Sequence, residues 1–175
     1  MNAKEELEVK IRIGDPRPVI DAITAMGGRL LRSVVEDDTY FGHPCKDFAS
    51  TDEALRLRIS DGTAELTYKG PRAIGEAKLR LEMTVDVRDP AAVAELLRRL
   101  GFEPVARIIK RRIYYSVGTT VVSLDHVEGL GDFVEVEAAD AGLGVQGLKS
   151  VVLSLGLEWN PLRETYLEMI LAAQR

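Results

Sequence analysis

The sequence echoes itself. Leu7-Glu8-Val9-Lys10-Ile11-Arg12-Ile13-Gly14-Asp15-Pro16 returns as Leu81-Glu82-Met83-Thr84-Val85-Asp86-Val87-Arg88-Asp89-Pro90, an offset of 74 residues that also relates Gly27 to Gly101 and Tyr40-Phe41 to Tyr114-Tyr115 without a gap. A repeat of this kind constrains architecture before any single element does, because both copies must bury the same pattern of faces. Each copy reads as strand, helix, strand, hairpin, and two copies give eight strands.

In the first copy a strand runs to Ile13 through Glu6, and Asp15-Pro16 starts a helix, with Asp as cap and Pro at the first helical position. Val19, Ile20, Ile23 and Met26 form its apolar stripe, and Gly27-Gly28 ends it. A strand from about Arg29 to Phe41 follows, then a turn-rich loop, His43 to Asp52, and a hairpin of Leu55–Ile59 with Ala64–Lys69 across Asp61-Gly62. The second copy has a strand from Lys78, a helix over Asp89–Leu100, a strand over Val105–Val117, and a hairpin of Thr120–Val127 with Asp132–Ala138. It has no equivalent of the His43–Asp52 loop, which is therefore an insertion. The copies occupy about residues 1–75 and 76–140 of one domain spanning 1–175. Two further helices, Val145–Leu155 and Pro161–Ala173, the latter started by Asn160-Pro161, are expected to cover an outer wall of the sheet.

Side chains alternate across a strand, so each strand has two faces. One carries Glu6, Glu8, Lys10 and Arg12; Asp38 and Tyr40; Arg56 and Arg58; Glu65, Thr67 and Lys69; Lys78, Arg80, Glu82 and Asp86; Lys110, Arg112 and Tyr114; Ser123 and Asp125; Glu135 and Glu137. The other is almost wholly apolar, as in Leu55, Leu57 and Ile59. The apolar side must pack against the helices. The charged side is either the wet face of an open sheet or the inner wall of a closed barrel. A charged interior is costly to build for stability alone, because ion pairing only partly returns the lost hydration, so a barrel of this kind implies binding.

The chain has 175 residues, is 46% hydrophobic and 29% charged, and carries a formal net charge of -5. No apolar run approaches the roughly 20 residues that span a bilayer, and the N-terminus lacks a signal-peptide pattern, so a cytoplasmic protein without membrane contact is expected. The acidity argues against a general nucleic-acid surface. One cysteine, Cys45, and two histidines, His43 and His126, leave carboxylates as the metal ligands, which favours Mg2+ or Mn2+. The first hairpin offers Arg56, Arg58 and Lys69, whereas the second offers Asp125, Glu135 and Glu137. A nucleoside triphosphate or inorganic triphosphate carrying its cation meets both demands. No glycine-rich phosphate loop is visible, so side chains must hold the phosphates. The oligomeric state is open, a homodimer included.

Glu6-x-Glu8-x-Lys10, Leu55-Arg56-Leu57-Arg58, Thr67-Tyr68-Lys69-Gly70-Pro71, Arg80-x-Glu82, Lys110-x-Arg112, Leu124-Asp125 and Phe133-Val134-Glu135-Val136-Glu137 together resemble the CYTH superfamily, the triphosphate tunnel metalloenzymes, over almost the whole chain. The insertion His43–Leu55 resembles the class IV adenylyl cyclase branch, the CyaB type. The resemblance implies an α+β fold: an eight-stranded antiparallel β-barrel of two pseudo-repeated halves, with helices packed outside. It implies that Lys10, Arg56, Arg58, Lys69, Arg80, Lys110 and Arg112 hold the triphosphate, with Lys10, Arg56, Arg58, Lys69 and Arg112 acting in catalysis. Glu6, Glu8, Asp125, Glu135 and Glu137 would bind the metal, and Glu82 would either neighbour the metal or orient Arg80. Alternation with Lys110 favours Arg112 over Arg111 as the inward residue. The implied activity is conversion of ATP to cyclic AMP and pyrophosphate. Hydrolysis of inorganic or thiamine triphosphate, and non-catalytic sensing of a nucleotide or polyphosphate, are the alternatives.

Overall fold

The alternating segments become β1 (Asn2–Ile13), β2 (Arg29–Gly42), β3 (Ala54–Ser60), β4 (Thr63–Lys69), β5 (Lys78–Val87), β6 (Glu103–Val117), β7 (Thr120–Val127) and β8 (Gly131–Ala138). The computed structural model describes residues 2–73, 75–139 and 141–174. The strands close into an antiparallel barrel in the order β1-β5-β4-β3-β2-β6-β7-β8. The helices are α1 (Arg17–Ala25), α2 (Pro90–Arg99), α3 (Gly144–Ser154) and α4 (Tyr166–Ala173).

Register turns the repeat into geometry. Glu6 lies opposite Arg80 on β5, and Glu36 lies opposite Lys110 on β6. Both pairs join positions 74 residues apart, so a pseudo-two-fold axis passes between their members. The first strand of each copy pairs with the hairpin of the other, β1 with β8 and β5 with β4. The barrel therefore closes only when both copies are present.

The outward faces supply the core. Val9, Ile11, Val122, Val134 and Val136 pack against Val19 and Ile23 of α1 and Leu148, Val152 and Leu155 of α3. Phe41 and Leu57 pack against Leu97 of α2. Fully burying one such side chain stabilises the fold by about 1.5–3 kcal/mol. Gly27, at φ +72°, ends α1 as expected, and the Gly28 N–H returns to the Ile23 carbonyl at 2.8 Å. A β-carbon on Gly28 would stand 2.5 Å from Ile23 Cγ2, which explains the second glycine.

The last helix departs from the expectation in two respects. It starts at Tyr166 rather than Pro161, because the Leu162 N–H pairs with the Lys10 carbonyl at 2.8 Å and holds the preceding segment against β1. Thr165 then caps it: its hydroxyl accepts from the Glu168 N–H at 3.2 Å while Glu168 Oε2 accepts from the Thr165 N–H at 2.6 Å. Nor does α4 cover a wall. Tyr166, Leu167, Met169 and Ile170 pack on Tyr40, Ala54, Ile108, Val127 and Phe133, which share the inward parity of the charged residues and form an apolar ring at one end of the barrel. The helix thus closes part of that end, while the other three lie outside. Thr165→Ala should cost about 1 kcal/mol and speed hydrogen exchange of the Glu168 and Met169 amides. Unaltered exchange at both amides would mean that the cap does not hold the helix.

Candidate active site

Inside the barrel the expected charged residues converge. They line a cavity of about 590 Å³ that includes Glu6, Glu8, Lys10, Arg56, Arg58, Lys69, Arg80, Lys110, Arg112, Glu135 and Glu137. Of the expected site residues only Asp125 lies off the cavity wall, beneath Arg112, which donates to it with both Nε and Nη2. Arg112 also reaches Glu135, while Arg111, one residue along, is exposed on the outer surface. Alternation therefore identified the inward arginine.

The charges are arranged by wall. Strands β7, β8 and β1 bring Asp125, Glu135, Glu137, Glu6 and Glu8 together around Lys10, whereas β3, β4 and β5 bring Arg56, Arg58, Lys69, Lys78 and Arg80 together with Glu65 and Glu82. Between them, β2 and β6 carry ion pairs of opposite polarity. Arg58 donates to Asp38 through Nε at 2.6 Å and Nη2 at 2.7 Å. The corresponding positions of the second copy are Arg112 and Asp125, where base and acid have changed places. Glu36, absent from the expected set, is 1% exposed and lies 2.9 Å from Arg58 Nη1 and 2.7 Å from Lys110 Nζ, with the Tyr114 hydroxyl donating to it at 2.5 Å. Burial alone would raise its carboxyl, but Lys110, Arg112 and Arg58 outweigh burial and hold it at about 2. Glu36 and Asp38 are thus permanent anions that position the bases in front of them. The same parity that revealed Asp38 and Tyr40 marks Glu36.

Two further groups join the site. Tyr166, brought in by α4, donates its hydroxyl to Asp125 at 2.7 Å, and its ring lies 3.4 Å from Lys10 Nζ. Lys78 lies 3.8 Å from Glu8, and burial together with neighbouring Lys10 pushes its ammonium down to about 8. Glu82 does not orient Arg80. It pairs with Lys69, while Arg80 donates to the Gly70 carbonyl at 2.8 Å and the Asp52 carbonyl at 3.2 Å. Arg12 lies at the rim, exposed, with Nη1 donating to the Leu130 carbonyl. In the insertion, His43 Nδ1 accepts from the Cys45 N–H and the ring packs between Phe48 and Phe102, a structural role.

The unbalanced charges show what the tunnel can take. Arg56 lines the cavity, and its buried Nε has no hydrogen-bond partner among the described residues, so the guanidinium keeps unused donor capacity. Opposite, the carboxyls of Glu6, Glu8 and Glu137 are all pushed upward: by burial first, then by Glu82 on Glu6, Glu135 on Glu8 and Glu6 on Glu137. Carboxylates that repel one another across a cavity fit a hard divalent cation. No three acidic, histidine or cysteine side chains among the described residues converge tightly enough to hold a metal unaided.

A family model described as the CYTH domain matches residues 4–142. The chain is 32% identical to a candidate adenylate cyclase of Methanocaldococcus jannaschii over 94% of this chain and 97% of that protein. It is 35% identical to the adenylate cyclase CyaB of Aeromonas hydrophila, over 75% of this chain and 67% of the relative. Among solved structures, a Pyrococcus horikoshii protein superposes with a TM-score of 0.86 at 35% identity, over 96% of this chain and 99% of its own.

Proposed function

This chain belongs to the CYTH family, and from that premise we propose that its tunnel binds ATP with a divalent cation and converts it to cyclic AMP and pyrophosphate. The observation that carries the reading is the opposition of the two walls: an unpartnered arginine donor on one, mutually repelling carboxylates on the other. An anion sensor would gain nothing from the second wall. The names of the Methanocaldococcus and Aeromonas relatives support the cyclase reading.

In this mechanism Arg56, Arg58, Lys69, Arg80, Lys110 and Arg112, with Lys10, clamp the phosphate chain, and their charge stabilises the negative charge that develops on the α-phosphoryl oxygens and the departing pyrophosphate. Glu36 and Asp38 keep Arg58 and Lys110 in place, so little reorganisation accompanies the transition state. Tyr166 fixes Lys10 and Asp125 from behind. Mg2+ or Mn2+ held by one or two of Glu6, Glu8 and Glu137 would supply Lewis-acid stabilisation of the phosphoryl oxygens.

The same clamp serves water attacking a terminal phosphorus, so hydrolysis of inorganic or thiamine triphosphate is the second reading. The purified chain incubated with ATP or inorganic triphosphate, each with Mg2+ and with Mn2+, distinguishes them by chromatography of the products. Cyclic AMP with pyrophosphate is expected; orthophosphate without a cyclic product overturns cyclisation and leaves a triphosphatase.

A further inference from the structure

The cavity does not end where the charges end. Beyond Tyr40 and Arg56 it continues between the insertion loop and α4, where Phe48, Leu55, Val105, Leu167 and Leu171 line it. A phosphate chain has no use for apolar walls, whereas a planar heteroaromatic ring does.

One side chain joins the two walls. Arg72, in the loop between β4 and β5, donates from Nε and from its backbone N–H to Asp52 Oδ2 of the insertion, at 2.9 and 2.8 Å. Its Nη2 lies 2.7 Å from both Asp52 Oδ1 and Glu168 Oε1, and its Nη1 donates to the Arg163 carbonyl at 2.7 Å. Every guanidinium nitrogen is thus engaged, and the partners sit on opposite sides of the gap. Asp52 has φ +54°, a conformation that an aspartate keeps only when its surroundings hold it there. Glu168 completes the capping box of α4 with Thr165, so the same contact seats the helix. Within the loop Lys46 and Thr51 engage Glu53, which also accepts from the Tyr68 hydroxyl of β4, so the loop is anchored to the barrel on one side and to α4 through Arg72 on the other.

We propose that this outer compartment receives the nucleoside part of a nucleoside triphosphate, and that Arg72, clasping both walls, is the positioning residue that sets its width. The proposal rests on the triphosphate reading above. It makes Arg72 a determinant of nucleotide over inorganic triphosphate, although it touches neither.

The test is a pair of equilibrium titrations in metal-free buffer, where the proposed metal-dependent turnover does not consume the ligand, one with ATP and one with inorganic triphosphate, on the wild type and on Arg72→Ala, Arg72→Lys and Leu171→Trp. In Arg72→Ala the ratio of the two dissociation constants should shift against ATP by about tenfold or more. Arg72→Lys should restore little of it, because an ammonium cannot fork between two carboxylates. Leu171→Trp fills the compartment with the clasp intact and should shift the ratio in the same direction. Equal loss of both ligands in Arg72→Ala and Leu171→Trp, or no loss in either, overturns the compartment while leaving the tunnel reading in place. A wild type that binds neither ligand overturns the tunnel reading itself.

Discussion

Replacing Glu8 by Gln is expected to make the metal-free protein more stable and, on the proposed metal-dependent reading of the tunnel, to abolish turnover. The Glu8 carboxyl is pushed up by burial and by Glu135, so its charged form is disfavoured in the folded state. The sign follows from linkage. Below the ordinary carboxylate range Glu8 is protonated whether folded or unfolded and costs nothing; as pH rises toward and through the raised folded value, stability is lost. The glutamine variant escapes that loss, and at neutral pH a gain of about 1 kcal/mol is expected, vanishing on acidification. Turnover should fall by about a hundredfold or more, because a metal ligand supplies several kcal/mol of charge stabilisation. Thermal unfolding with and without Mg2+ checks the first half: Mg2+ should raise the wild-type midpoint more than that of the variant. A variant less stable than wild type in metal-free buffer, yet fully active, would remove Glu8 from the metal site.

Replacing Arg112 by Met acts in the opposite direction on stability. Asp125 is 2% exposed and Glu135 7% exposed, and both face Arg112. Breaking a buried ion pair by deleting one partner costs about 3–5 kcal/mol, since the surviving charge keeps its desolvation penalty. Burial would raise the Glu135 carboxyl, but Arg112 and Lys10 hold it well below the ordinary range. In the wild type that contribution is present above the ordinary carboxylate range and is lost as pH falls through the depressed value. Without Arg112 most of it disappears, so the deficit should be largest near neutrality and shrink on acidification. Urea unfolding across that range measures both, with Arg111→Met on the exposed outer face as a control expected within about 0.5 kcal/mol of wild type. A deficit below about 1 kcal/mol, or one insensitive to pH, would show that the Arg112 charge is not what holds these carboxylates.

The barrel was legible because a two-residue period states which side of a strand is buried, and the same answer returned in strand after strand. It separated Arg112 from Arg111 and placed Asp38 and Tyr40 inside. Glu36 obeys the same rule. It went unnoticed because β2 opens with an exposed run, Arg29 to Ser33, that hides where its inner face begins. Tyr166 could not be found this way. Its role depends on α4 turning into the barrel mouth, and that turn is set by a hydrogen bond between Leu162 and Lys10, far apart in the chain. Asn160-Pro161 has the local chemistry of a helix start, but a tertiary contact took its place, and Thr165 with Glu168 supplied the cap instead. The partner of Glu82 was hidden similarly, because it lies across the strand pairing, at Lys69 on β4.

The inverted polarity of the two copies also governs how the chain can associate. Glu6 faces Arg80 and Glu36 faces Lys110 across the pseudo-two-fold axis. Were one copy to assemble with a duplicate of itself, the axis would set Glu6 against Glu6 and Glu36 against Glu36, or in the other copy Arg80 against Arg80 and Lys110 against Lys110. Like charges directly opposed across a ladder are destabilising, and here they would also be shut away from water. At the axis itself neither copy is self-complementary. Strand exchange between two nascent chains is disfavoured whenever it joins like copies, so the substitutions that polarise the tunnel also keep the duplicated chain paired in its proper order.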